Sequence, residues 1–217
     1  MARFDLVVFD WDGTLMDSTA LIADCIRQAA RETALPVPTP EHARSIIGLG
    51  LEDSLARLFP GAPSATLMAF AGRYRHHFVA RDHEAPLFDG VHELLDDLHA
   101  AQRIVAVATG KSRRGLDRAL EATGLRERFH YTRCADEGRP KPDPEMLEYL
   151  MTAAGAARER TLMIGDTTHD LDLARNAGVA AVALGHGAHG PEQLQAAAPL
   201  ALVDNLAQLR AWMQLNG

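Results

Sequence analysis

Two aspartates two residues apart, Asp10 and Asp12, close an apolar run, Leu6-Val7-Val8-Phe9, and lead into Gly13-Thr14. Carboxylates this close repel one another, and a buried strand end penalises each charge further. A cation between them, or a proton in transit, offsets that cost. A second pair, Asp166 and Asp170, follows Leu162–Ile164. A helix opening near Thr167 brings Asp170 one turn on, back to the side of Asp166. Thr109 and Gly110 follow Ile104–Ala108. A hydroxyl, a glycine that admits close backbone approach and a helix N-terminus together suit a phosphate. Lys141 lies in Arg139-Pro140-Lys141-Pro142-Asp143-Pro144, where alternating prolines hold the backbone extended. Four carboxylates, one lysine and one hydroxyl suit a hard divalent cation such as Mg2+ with a phosphoryl group. The cation and Lys141 offset the repulsion between aspartates and phosphate.

Other chemistries fit these residues less well. A calcium loop also begins Asp-x-Asp, but it needs an incoming helix and a Glu at its twelfth position, which here is Leu21. Gly110-Lys111-Ser112 suggests a nucleotide P-loop, yet the glycine required five positions earlier is Val105. Gly185-His186-Gly187-Ala188-His189-Gly190, with Asp204 beyond it, matches a dinucleotide fingerprint by letter. Too little chain follows to complete a dinucleotide fold, so a glycine loop beside the site is the expectation. His186 and His189 lack an evident third zinc ligand. Only Lys111 and Lys141 are lysines among 22 basic residues. A compact ammonium is kept where a guanidinium does not fit; at Lys111 chance retention is an equal reading.

The elements that must position these groups alternate. Strand-like runs at Phe4–Phe9, Ile104–Ala108, His130–Cys134, Leu162–Ile164, Val179–Leu184 and Leu200–Val203 are separated by helical patterns. That alternation predicts an α/β fold, a three-layer, Rossmann-like parallel sheet with helices on both faces. Right-handed crossovers bring every strand C-terminus to one edge, and with it each motif. Between Ser18 and about Asp82 the alternation stops and only helical patterns remain, broken at Leu35–Pro40, Gly48-Leu49-Gly50 and Pro60–Pro63. An all-helical cap over 18–82 is therefore expected, with 1–17 and 83–217 forming the core. Ser18 is placed as the N-cap of the first cap helix.

Bulk properties are those of a globular protein: 217 residues, 47% hydrophobic, 24% charged. No apolar run reaches the roughly 20 residues of a membrane span, and no signal peptide is evident. Two distant cysteines form no disulfide framework, so a cytoplasmic location is expected. A net charge of −7 argues against nucleic-acid binding.

In order and spacing, Asp10-x-Asp12-Gly13-Thr14, Thr109-Gly110, Lys141-Pro142 and Gly165-Asp166 with Asp170 resemble the haloacid dehalogenase-like hydrolase superfamily. The helical insert resembles the cap of its phosphoglycolate phosphatase-like branch. The resemblance implies a phosphatase with Asp10 as the nucleophile that forms an aspartyl-phosphate. Asp12 would be the acid/base, with its backbone carbonyl on Mg2+. Asp10 and Asp166 would be metal ligands, and Asp170 would support the metal through water or orient Lys141. Thr109, Gly110 and Lys141 would hold the phosphoryl group. Dehalogenases lack an aspartate at position 12, and phosphonate hydrolases use a cap lysine that is absent here. A phosphosugar mutase, or a nucleotide or pyrophosphate hydrolase, remains an alternative. Arg44, Gly48 and Arg73 are the cap candidates for contact with a small phosphorylated metabolite. Monomer and homodimer are both open.

Overall fold

The computed structural model describes residues 3–216. Six parallel strands, β1 (Leu6–Phe9), β2 (Ile104–Thr109), β3 (Tyr131–Cys134), β4 (Thr161–Gly165), β5 (Ala180–Leu184) and β6 (Ala201–Val203), form one sheet in the order β3-β2-β1-β4-β5-β6. Alternation along β1 divides its side chains between two cores. Val7 and Phe9 join Val105, Val107, Leu162 and Ile164 on one face, under α5 (Val91–Ala100), α6 (Arg113–Thr123) and α10 (Leu206–Asn216). Leu6 and Val8 join Ala106, Ala108 and Met163 on the other, under α7 (Glu145–Ala154), α8 (Thr168–Ala177) and α9 (Pro191–Ala196). This is the three-layer α/β fold expected from the sequence.

The register places the site. Phe9 lies beside Val107 of β2 and Ile164 of β4, so the three strands end nearly flush. The strand order reverses at β1, and such switch points open a crevice at the C-terminal sheet edge. Asp10, Thr109 and Asp166 fall on that crevice.

Between β1 and β2 the chain inserts α1 (Thr19–Glu32), α2 (Pro40–Arg44), α3 (Leu51–Leu58) and α4 (Ser64–Arg81), then returns to the sheet with α5. Helix α1 packs against α2 and α4. Helix α2 is shorter than the Glu41–Ile47 pattern suggests: it ends at Arg44, and a turn leads to Gly48 at φ +93°. The outgoing and returning segments pair with each other: the Asp17 amide donates to the Pro86 carbonyl and the Phe88 amide to the Leu15 carbonyl, both at 2.9 Å. No described helix is long and apolar enough to cross a membrane.

Candidate active site

The Asp10 amide donates to the Ile164 carbonyl at 2.9 Å, so β1 hands its carboxylate directly to the crevice. The chain then turns at Gly13, whose φ is +87°. A Cβ there would meet Asp166 Oδ2 at 2.2 Å, so the position needs glycine for both its conformation and its space. Thr14 Oγ1, one residue on, donates to Asp166 Oδ1 at 2.6 Å.

Lys141 is fully buried and donates to Asp10 Oδ1 at 2.7 Å and to Asp170 Oδ1 at 2.6 Å. It enters through a Pro-rich segment in which the Lys141-Pro142 peptide is cis. Burial works against its charge, but the Asp10 and Asp170 carboxylates outweigh that and raise its pKa. The other oxygen of Asp170 accepts from the backbone amide (3.1 Å) and hydroxyl (2.8 Å) of Thr167, closing a capping box at the start of α8. Asp170 thus sits one turn beyond Asp166 as the spacing suggested, and it both caps the helix and aims the lysine.

Oxygens of Asp10, Asp166 and Asp170 lie within 4.8 Å of one another, all buried. Three carboxylates against the single Lys141 ammonium leave two negative charges when all are ionised. Burial pushes the Asp10 carboxyl up to about 7 against the pull of Lys141, with Asp170 and Asp12 adding to the rise. Burial raises Asp166 well above its ordinary range too, reinforced by Asp10 and Asp170. Asp10 Oδ2 is buried with no hydrogen-bond partner. Such an atom is costly unless a ligand satisfies it. A hard divalent cation fits the donor set and the excess charge.

Asp12 is held at both oxygens. Ser18 Oγ donates to Oδ1 at 2.6 Å, and Lys111 Nζ lies 3.0 Å from Oδ2. Ser18 does stand at the N-cap position of α1, but its hydroxyl makes no cap bond. Sequence reasoning gave it only a capping role, and a helix-start serine near an Asp-x-Asp motif carries no other signal. Thr109 is buried at the end of β2, and its hydroxyl accepts the Lys111 amide at 3.2 Å.

The glycine loop also has a job at this centre. The Ala188 amide donates to Asp166 Oδ2 at 2.7 Å, and a Cβ on Gly187 would lie 2.1 Å from that oxygen. His186 stacks on Phe88 at 3.9 Å between centroids, with Nε2 3.3 Å from the Thr14 carbonyl. The fingerprint-like spacing therefore clamps an aspartate, and the amide a pyrophosphate would need is committed to Asp166.

The inserted helices meet this edge at several further places. A Cβ on Gly110 would lie 2.6 Å from the Gly48 carbonyl and 2.7 Å from that of Leu49, so the cap loop lies directly on the strand-end glycine. His169 and His189 direct their Nε2 atoms to the Ser45 carbonyl at 3.0 and 3.3 Å. Phe78 of α4 faces Lys111, whose Nζ lies 4.6 Å from the ring centroid. Arg44 is exposed and lines a surface groove with Glu41, Ser45, Ala188, His189, Gly190 and Gln193; neither Asp10 nor Asp12 is among its lining residues. Arg73 is paired with Glu32 at 3.0 Å. The cation beside Asp12 comes from the core, not from these cap arginines.

Several outcomes are expected. In the metal-free protein Asp10 ionises near 7, against an ordinary value of 3.8, so its protonated form favours the fold. That contribution is complete below about 3.8 and is lost as pH rises through about 7. A divalent cation held by these carboxylates would displace the same protons, so affinity for added Mg2+ is expected to tighten from pH 6 to pH 8. Asp166→Asn raises the metal-free melting temperature, by about 2–4 °C for each kcal/mol gained, and removes the rise that Mg2+ gives the parent. Scanning calorimetry with and without Mg2+ across this pH range checks both expectations. Gly187→Ala drives its Cβ into Asp166 and weakens Mg2+ binding about 10–100-fold, read by calorimetric titration.

The profile of the haloacid dehalogenase-like hydrolases matches residues 7–184. The protein named Probable phosphatase IndB of Dickeya dadantii is 36% identical over 210 residues, covering 94% of this chain and 91% of its own. Pyrophosphatase PpaX of Halalkalibacterium halodurans is 32% identical over 195 residues, covering 89% of each. Phosphoglycolate phosphatase of Vibrio parahaemolyticus is 30% identical over 213 residues, covering 94% of this chain and 93% of its own. With the site geometry and this coverage together, the chain belongs to the haloacid dehalogenase-like hydrolase family.

Proposed function

We propose that this protein is a Mg2+-dependent phosphatase that hydrolyses a small phosphomonoester through an aspartyl-phosphate on Asp10. The observation that carries the reading is the unpartnered, buried Oδ2 of Asp10, opposite the oxygen that Lys141 holds. Lys141 fixes one oxygen and leaves the other to attack. As the Asp10–phosphorus bond forms and the ester P–O bond breaks, Asp12 gives its proton to the leaving oxygen. In the second half Asp12 takes a proton from water as that water attacks phosphorus, and Asp10 is released. Thr109, Gly110 and Lys141 hold the phosphoryl oxygens as charge develops. Asp170 acts by aiming Lys141, since both its oxygens are engaged by Lys141 and Thr167. Mg2+, held by Asp10, Asp166 and the Asp12 carbonyl, would supply positive charge that neutralises the cluster and the phosphate.

The phosphatase names of the relatives support this reading, and the phosphoglycolate phosphatase among them supports a short acidic substrate. The pyrophosphatase relative favours a second reading, in which the leaving group is itself phosphate. Asp10→Asn should lower turnover of p-nitrophenyl phosphate with Mg2+ by at least about 10³-fold while the protein stays folded by circular dichroism. Turnover within tenfold of the parent would sink the nucleophile assignment.

A further inference from the structure

Lys111 is unaccounted for by the chemistry above. Its side chain is only 9% exposed, and its ammonium has two neighbours: Asp12 Oδ2 at 3.0 Å and the face of Phe78 at 4.6 Å. A compact ammonium this deep needs an anion, since desolvation is severe for an unpaired charge. Lys141 has two carboxylates and serves the nucleophile. Lys111 has one, and that one is the acid that must reach the leaving oxygen.

A proton on Asp12 removes the negative charge that pairs Lys111 and competes for the oxygens its present partners hold. Its Oδ1 accepts from Ser18, which is fully buried at the start of α1 on a short side chain. Its Oδ2 is held by Lys111, whose four-carbon stem can swing. Lys111 is therefore the partner that moves. When Asp12 is protonated for transfer, the ammonium loses its counter-charge and is left with the Phe78 ring, a weaker partner than a carboxylate. Tyr74 stacks on Phe78 at 6.0 Å between centroids and extends this aromatic wall. Its phenol is pushed up by burial and by the Asp12 charge.

We infer that Lys111 is the specificity residue for the leaving group, and that it selects phosphoesters or phosphoanhydrides whose leaving part carries a second anionic group within a bond or two of the bridging oxygen. The incoming anion draws the ammonium off Oδ2, keeps it paired on the wall formed by Phe78, and frees the acid. A substrate without that charge must either leave Lys111 on Asp12 or strand it. A carboxylate and a phosphate both meet the requirement, and each is short enough to lie beside Asp12. The inference rests on the phosphatase reading and narrows its substrate class.

The test compares kcat/KM with Mg2+ for 2-phosphoglycolate, pyrophosphate and ethyl phosphate; the first and last differ mainly in a carboxylate for a methyl. The unmodified protein should prefer at least one anionic substrate over ethyl phosphate by about 10–100-fold, as a charge-assisted contact implies. The preferred arm tells a carboxylate from a phosphate. Lys111→Met should bring that ratio near one, with much of the change in KM, and Lys111→Arg should restore part of it. Equal efficiency on all three substrates by the unmodified protein overturns the inference without needing any variant. So does a Lys111→Met protein, folded by circular dichroism, that loses the same factor on all three, because Lys111 would then serve Asp12 alone. Failure of the unmodified protein to hydrolyse any of these esters or p-nitrophenyl phosphate removes the phosphatase reading and this inference with it.

Discussion

Everything at the C-terminal edge of the sheet answers to one electrostatic demand: three buried carboxylates share a single buried ammonium. Packing alone does not tolerate that excess, because desolvation and mutual repulsion act in the same direction. The surrounding structure holds the charges apart. Thr14 and the Ala188 amide fix Asp166, Thr167 and Lys141 fix Asp170, and Lys141 fixes half of Asp10. The oxygen left over, Oδ2 of Asp10, is the one with no partner. These hydrogen bonds preorganise the three carboxylates.

The sheet supplies that geometry cheaply. β1 lies between β2 and β4, with its C-terminal end level with theirs, so three strand ends present an acid, a hydroxyl and another acid without any long loop. Lys141, between β3 and α7, then has to reach only across the edge. The inserted helices close the opposite side. They rest on Gly110 through the Gly48 and Leu49 carbonyls and on His169 and His189 through the Ser45 carbonyl.

Much of this was legible in the sequence because the chemistry is written in residue types that are costly to bury. Asp10, Asp12, Lys141, Asp166 and Asp170 each follow or flank a recognisable strand or rigid Pro-rich segment, and alternation fixed the parallel sheet. What stayed hidden depended on three-dimensional approach. Ser18 looked like an ordinary helix cap because capping is the common use of serine at that position. Arg44 is a cap candidate on charge alone, and its position follows from where α2 ends, at Arg44 itself. The 185–190 loop resembled a nucleotide motif since both uses need glycine where another group comes close. Only the position of Asp166 separates them.

The bond from Ser18 to Asp12 ties the start of the first inserted helix to a carboxylate of the core. The insert is thus more than an interchangeable cover. A lineage that exchanged these helices would also exchange a hydrogen-bond partner of Asp12, so the insert and the placement of that carboxylate are inherited as one unit. Diversification of the insert is then constrained most at its first residue, and is freest in the helices that touch only each other.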